Sequence, residues 1–243
     1  MALPPDNADT SSPNVPFAIA ARIAAAQARY HRAQLEGAEH LPGGPALVVA
    51  NHGLYGLDTP VFFYLVWRAT GRAPVGLAER YLCALPPMRA ALEAIGGVLG
   101  TRENALRMLG EGRLVVCYPG GAREVFKARE ARHRLAWERA LGWVRVAQAA
   151  QVPIVPVAGA GIDDTYRVVA KMRPLALLAG HEKYAVPLAV GLGAAPLPAR
   201  FRFRIGAPFP PPAPRAGEAA LHALREQVAG WIETQLEELE DVH

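Results

Sequence analysis

The stretch Ala46-Leu47-Val48-Val49-Ala50-Asn51-His52-Gly53-Leu54-Tyr55-Gly56-Leu57-Asp58-Thr59-Pro60 reads as a buried strand, a glycine-bearing loop and a helix start. Its first five residues are all apolar, as suits a strand covered on both faces. Thr59 and Pro60 form a cap followed by a first-turn proline, so a helix is expected to run to about Thr70. A polar loop released at a strand end lies at the sheet edge, where open α/β folds place ligands. A histidine working there needs a carboxylate to fix its tautomer and stabilise its protonated form. Gly53 and Gly56 would let the loop fold so that Asp58 reaches His52. On these residues alone, an incidental His and a helix-entry Asp remain the alternative.

Further strands are expected at Pro74–Ala78, Gly96–Leu99, Leu114–Tyr118 and Ile154–Ala158. Another at Phe201–Ile205 alternates apolar residues with Arg, the mark of a half-buried strand. Helices are expected at Pro87–Ile95, from Thr101 to Glu111-Gly112, at His133–Gln151 and at Glu218–Leu239. Strands alternating with helices give an α/β sheet. Upstream, a helix is expected over Phe17–Gln34, with Arg22, Arg29 and Arg32 near one face; it is read as packed with a solvated face or as lying on lipid. Residues 1–16, rich in Pro, Asp, Asn and Ser, read as a disordered arm, and 17–243 as one domain. Tyr184–Ala199 is uncharged but broken by Pro187, Pro196 and Pro198, which makes it a poor helix.

The chain has 243 residues, 51% hydrophobic and 20% charged, with a net charge of +4, enough to bury a core. That charge suits anionic headgroups, phosphate or nucleic acid without choosing among them. Cys83 and Cys117 show no disulfide or metal spacing, so a reduced, cytoplasmic setting is expected. No signal-peptide pattern and no run of about 18 apolar residues is visible.

Three more segments carry candidate chemistry. In Tyr118-Pro119-Gly120-Gly121-Ala122-Arg123-Glu124, adjacent glycines expose N–H groups and Arg123 adds a cationic fork for phosphate or carboxylate; the alternative is a plain turn with a surface Arg–Glu pair. In Gly96-Gly97-Val98-Leu99-Gly100-Thr101-Arg102, Arg102 stands at a helix start, where anions are favoured, or is simply solvated. Val152-Pro153-Ile154-Val155-Pro156-Val157 is a buried strand between prolines.

The order of these four blocks resembles the glycerolipid (lysophospholipid) acyltransferase superfamily, over roughly Tyr30 to Phe209. That family shows Asn-His with a following Asp, a Gly-rich block with Arg, a Pro-Gly block with Arg, and a Val-Pro strand. Leu35-Glu36-Gly37, His40-Leu41-Pro42, Trp137 and Gly142-Trp143-Val144-Arg145 extend the match. Pro119-Gly120-Gly121-Ala122-Arg123-Glu124 is most similar to the diacylglycerol-acyltransferase-like branch. The resemblance implies a mixed β-sheet flanked by helices, with an N-terminal helix. It implies transfer of a fatty acyl group from acyl-CoA or acyl carrier protein to a lipid hydroxyl (of a lysophospholipid, acylglycerol or long-chain alcohol), at the inner face of a membrane. His52 and Asp58 would be the catalytic pair, and Asn51, Arg102, Gly120, Gly121, Arg123 and Glu124 would bind substrate. No bound cofactor or metal is implied; acyl-CoA is a co-substrate. Two departures point away from a glycerol-phosphate acceptor toward a more neutral alcohol: five residues rather than four separate His52 from Asp58, and Gly120 stands where the family has Glu.

Rival chemistries lack their parts. Ser11 and Ser12 are the only serines, and no Gly-x-Ser-x-Gly elbow exists. The seven histidines are scattered, without metal-ligand spacing. There is no Walker loop, and nucleic-acid binding rests on net charge alone. A lipid-binding protein of the same fold without turnover stays open as a different class.

Overall fold

The computed structural model describes residues 15–80, 89–90, 92–93, 96–125, 134–137, 140–172, 186–191 and 195–240. Residues 15–17, 168–172 and 186–189 are described by their backbone alone. The expected arm falls outside these residues up to position 14, as does most of the expected Pro87–Ile95 helix.

Seven strands form one sheet: β1 (Gln34–Glu36), β2 (Ala46–Ala50), β3 (Val75–Ala78), β4 (Gly97–Leu99), β5 (Leu114–Cys117), β6 (Ile154–Ala160) and β9 (Arg202–Ile205). Their spatial order is β1-β9-β6-β2-β5-β3-β4. All neighbours are parallel except β6 and β9, which run antiparallel, so the sheet is mixed. β7 (Arg167–Met172) and β8 (Val186–Val190) form a separate antiparallel pair.

Central strands β2, β5 and β6 are buried along their whole length. Their side chains alternate between two apolar layers. Ala46, Val48 and Ala50 pack with Phe62 and Val66 of α2 (Asp58–Thr70) and Ala28 of α1 (Val15–Tyr30). Leu47 and Val49 face the other way. They meet Leu109 of α3 (Arg102–Gly110), Val144 of α5 (Gly142–Ala150) and Ile232 of α6 (Glu218–Glu240). A short α4 (Ala122–Val125) follows β5.

Several expectations shift. The first helix ends at Tyr30, and Gln34 begins β1 instead. Thr59 does not cap α2; the helix opens one residue earlier, at Asp58. The helix expected from His133 begins only at Gly142. Residues 134–137 are irregular, and the Trp137 ring is sunk into the core edge-on to Trp143, 6.0 Å between centroids. β6 runs through Pro156 as expected and continues past Ala158 to Ala160. The N–H that proline lacks would point toward β9, between the Ile154–Phe209 bridge and the Val157–Ile205 pair, where the ladder is interrupted.

Candidate functional site

β2 lies between β5 and β6, so its C-terminal end is flanked by theirs, where three loops open together. Asn51 and His52 leave β2 there, Tyr118–Glu124 leaves β5, and Gly159 sits near the end of β6.

His52 Nδ1 lies 3.0 Å and 3.1 Å from the two Asp58 carboxylate oxygens. The Gly53 N–H also donates to Asp58 Oδ1, at 3.1 Å. Asp58 occupies the first turn of α2, where the helix end favours an anion. Its side chain is 1% exposed and that of His52 13%, so the carboxylate is withdrawn and the imidazole reaches the opening. A one-turn 3-10 segment, Leu54–Gly56, absorbs the long spacer. Tyr55 and Gly56 both adopt left-handed backbone there, φ 58° and 71°. At Gly56 a side chain would also press on the imidazole, since an added Cβ would lie 3.2 Å from His52 Cε1.

The Tyr118 ring stacks on the other side of this arrangement, 3.9 Å from the His52 ring centroid and 11° from parallel. Its hydroxyl accepts a hydrogen bond from Thr59 Oγ1 at 3.1 Å. Burial first, and the neighbouring Asp58 charge second, push the phenol well above its usual range, so it stays protonated. Thr59 thus spends its hydroxyl on joining α2 to the end of β5.

Glu124 is 0% exposed, which removes the reading of a solvated surface Arg–Glu pair. Its carboxylate accepts the His52 N–H at 3.1 Å and the Ala136 N–H at 3.3 Å. It lies so close over Gly120 that a Cβ there would come 2.4 Å from Glu124 Cγ. This accounts for glycine at position 120. The Gly121 N–H donates to Tyr118 O at 2.9 Å, so it is held inside the turn. The Gly120 N–H has no protein partner among the described residues.

Asn51, expected against substrate, is buried and turned onto β6. Its Nδ2 donates to Gly159 O at 2.9 Å and its Oδ1 accepts from Gly159 N at 2.8 Å. The side-chain amide therefore copies a strand neighbour and locks the start of the loop. Arg123 is on α4, directly after the Gly120-Gly121 turn. Arg102 opens α3, and its exposed side chain borders a surface depression with Arg145, Gln148, Ala149, Gln151 and Pro214 rather than the His52 opening. Cys117 is sealed in β5 and burial pushes its thiol up to about 12, so it offers no thiolate at neutral pH.

The Tyr118 stack, the Thr59 hydroxyl and the grip of Glu124 on the His52 backbone were not expected from the sequence. One signal was available: a lone acid in the otherwise apolar approach of β5 and its turn has to find buried donors if that turn packs inward.

A protein-family model described as Acyltransferase matches residues 32–159. The human and mouse proteins named "DGAT1/2-independent enzyme synthesizing storage lipids" are 29% and 28% identical to the chain, over 182 and 181 residues. Each alignment covers 74% of this chain, and 55% and 54% of the human and mouse proteins. An uncharacterized protein of Mycobacterium tuberculosis is 30% identical over 188 residues, 74% of this chain and 52% of that one. The chain thus spans about half the length of the curated relatives it matches. The crystal structure of the 1-acyl-sn-glycerophosphate (LPA) acyltransferase from Thermotoga maritima shares the fold, with a TM-score of 0.60 at 18% identity. It covers 93% of this chain and 81% of that one.

Proposed function

Because the chain belongs to the acyltransferase family, we propose that it transfers a fatty acyl group from a thioester to the hydroxyl of a lipid, with His52 as general base. The observation that carries this reading is the His52–Asp58 hydrogen bond. With Nδ1–H donated to the carboxylate, Nε2 keeps its lone pair and faces the opening beside Gly56. This tautomer is the one the hydrogen-bond network requires.

Nε2 takes the proton of the acceptor hydroxyl as that oxygen attacks the thioester carbonyl. The new C–O bond gives a tetrahedral oxyanion. The C–S bond then breaks, and the departing thiolate takes the proton back from His52. Asp58 orients the ring and stabilises its cationic form. The stacked Tyr118 face adds attraction for the imidazolium. The Gly120 N–H is the donor we assign to the oxyanion. Arg123, following the C-terminal end of β5 beside the site edge, is assigned to a phosphate of donor or acceptor.

The donor in this reading is acyl-CoA, with acyl carrier protein as the other thioester to test. The acceptor is an acylglycerol or long-chain alcohol, since Gly120 leaves the third block without the family's usual carboxylate. Among the described residues no helix is long and apolar enough to cross a membrane, and we place the protein peripherally on the inner face of one. Purified protein with radiolabelled acyl-CoA and a panel of lysophospholipids, acylglycerols and long-chain alcohols tests the reading. Labelled ester made by the wild type and not by His52→Ala supports it. No transfer to any acceptor from either donor, by a folded protein, sinks it.

A further inference from the structure

β9 carries Arg202 and Arg204 on one face, and they are treated very differently. Phe201, Phe203 and Ile205 join the layer that holds Phe62 and Ala28, so the two arginines point the other way, toward α6. The Arg204 side chain is 30% exposed and fully engaged. Its Nε donates to Glu36 at 3.0 Å, and its Nη1 donates to Gln235 and Glu238 at 2.8 and 2.9 Å. Arg202 is only 9% exposed. Its Nε is sealed from solvent without an acceptor, and among the described residues no hydrogen bond or ion pair reaches its guanidinium. Solvation favours the reverse order, because water can serve the exposed cation and not the buried one. Opposite Arg202 in the ladders stand Ala160 of β6 and Gln34 of β1, neither of them an acid. A buried cation in such surroundings calls for an anion brought by a ligand.

Arg202 lies at the same edge of the sheet as His52. Its partner Ala160 ends β6, at the edge where the parallel neighbour β2 releases Asn51 and His52. Gly161 follows, so close to the start of β9 that an added Cβ would lie 2.1 Å from Arg200 O. Ile162 then packs on the histidine loop, where a Cβ on Gly53 would lie 2.9 Å from Ile162 Cβ. Only β6 stands between β2 and β9, so the two strands are two spacings apart, about 10 Å. That is too far for a group bonded beside the attacked hydroxyl. It suits a charge carried at the end of a long arm.

We infer that Arg202 binds a phosphate of the thioester donor. The inference rests on the acyl-transfer reading, in which the acceptor is a neutral acylglycerol or alcohol. The donor is then the substrate that brings phosphate, and in CoA and acyl carrier protein alike the thiol arm carries it well away from the sulfur. The planar guanidinium fork matches phosphate oxygens in pairs, and exclusion of water around Nε strengthens the attraction. An interaction so remote from the bonds that change holds ground state and transition state equally, so it acts on KM and not on kcat.

The test uses the full chain with Arg202→Met, which keeps an apolar stem without the charge, and Arg202→Lys, which keeps the charge without the fork. Urea unfolding is followed with and without inorganic pyrophosphate. Transfer is measured from acyl-CoA and from an acyl-N-acetylcysteamine thioester, which has no phosphate. Pyrophosphate is expected to raise the wild-type midpoint and to leave that of Arg202→Met unmoved. Arg202→Met should raise KM for acyl-CoA by about tenfold or more at nearly constant kcat, with Arg202→Lys in between. Its KM for the N-acetylcysteamine thioester should match the wild type. An equal pyrophosphate response by wild type and Arg202→Met overturns the anion site. A KM for acyl-CoA that does not move overturns the assignment to the donor and marks the pyrophosphate as adventitious. A KM that rises equally for both thioesters makes Arg202 structural and overturns it too. A folded wild type that responds to pyrophosphate through Arg202 yet transfers from neither thioester leaves the anion site standing and removes the acyl-transfer reading instead.

Discussion

The Tyr118 ring lies flat on the His52 imidazole, 3.9 Å between centroids, while Thr59 on the same helix turn as Asp58 holds the Tyr118 hydroxyl. The two partners of His52, one facing its edge and one its face, are therefore linked through Thr59. A stacked aromatic face stabilises a nearby cation by about 0.5–2 kcal/mol. Tyr118→Phe keeps the face and is expected to retain transfer within about threefold. Tyr118→Leu removes it and is expected to lose about tenfold in kcat, since ~1.4 kcal/mol is a factor of ten. Steady-state kinetics of the two variants side by side checks the contrast, and equal activity would leave the stack without a role.

Asp58→Asn preserves shape but removes the charge that faces Nδ1 and can present the wrong donor to it. Loss of transfer by about 10²–10⁴-fold is expected, with binding of acyl-CoA unchanged by calorimetry. A fully active Asp58→Asn protein would detach Asp58 from the reaction.

Asn51→Ala strips two hydrogen bonds from the buried Gly159 backbone. Each buried group left unsatisfied costs about 1–3 kcal/mol, so urea unfolding should show a loss of at least ~2 kcal/mol. The KM for either substrate should hardly move in the folded fraction. A stable variant with a large KM change would return Asn51 to substrate binding.

Gly120→Ala drives a methyl group into the Glu124 side chain. Displacing that carboxylate releases the His52 and Ala136 N–H groups together. Transfer is expected to fall by more than about tenfold, and a second substitution, Glu124→Ala, should not lower it much further. Additive losses in that double-mutant cycle would show that the two positions act separately.

His31 is buried, stacked on Phe201 at 4.1 Å, with Nδ1 3.2 Å from Ala199 O. Desolvation holds it below the ordinary 6.5. In the unfolded chain it takes up a proton near that value, whereas in the folded chain it does so only at lower pH. Its contribution is therefore fully present above about pH 6.5 and declines as pH falls from there to the lowered folded value. The greatest slope from one such proton is ~1.4 kcal/mol per pH unit. Urea unfolding of wild type and His31→Phe at pH 7.5 and 5.5 measures it, and the variant should show the smaller drop.

The apolar strands β2, β5 and β6 were legible because a strand buried on both faces has no polar residue to obscure it. The proximity of His52 and Asp58 was legible from two glycines in the loop between them. β1 was hidden because three residues at a sheet margin, following directly on a helix, carry no period. β8 was hidden because uncharged, proline-broken sequence resembles a loop. The late start of α5 was hidden for a tertiary reason: Glu124 holds the Ala136 N–H, and Trp137 fills the core, so a helical pattern is overridden by contacts distant in sequence. Arg102 and Arg123 both follow strands, but a strand end fixes only where a loop begins. The direction of an exposed side chain beyond it depends on the helix layer it joins.

The double tether of the loop, Asn51 to Gly159 and the His52 backbone to Glu124, also sets its timescale. Breaking either tether requires parting β2 from β6, or prying α4 off β5, inside the most protected layer of the sheet. In hydrogen–deuterium exchange the His52 and Gly53 amides should therefore keep pace with Val48 and Val116, exchanging only when the whole sheet opens. The Gly43-Gly44 turn at the other end of β2 should exchange orders of magnitude sooner. Whatever motion accompanies turnover then belongs to the rim around the histidine, which itself stands as still as the core that carries it.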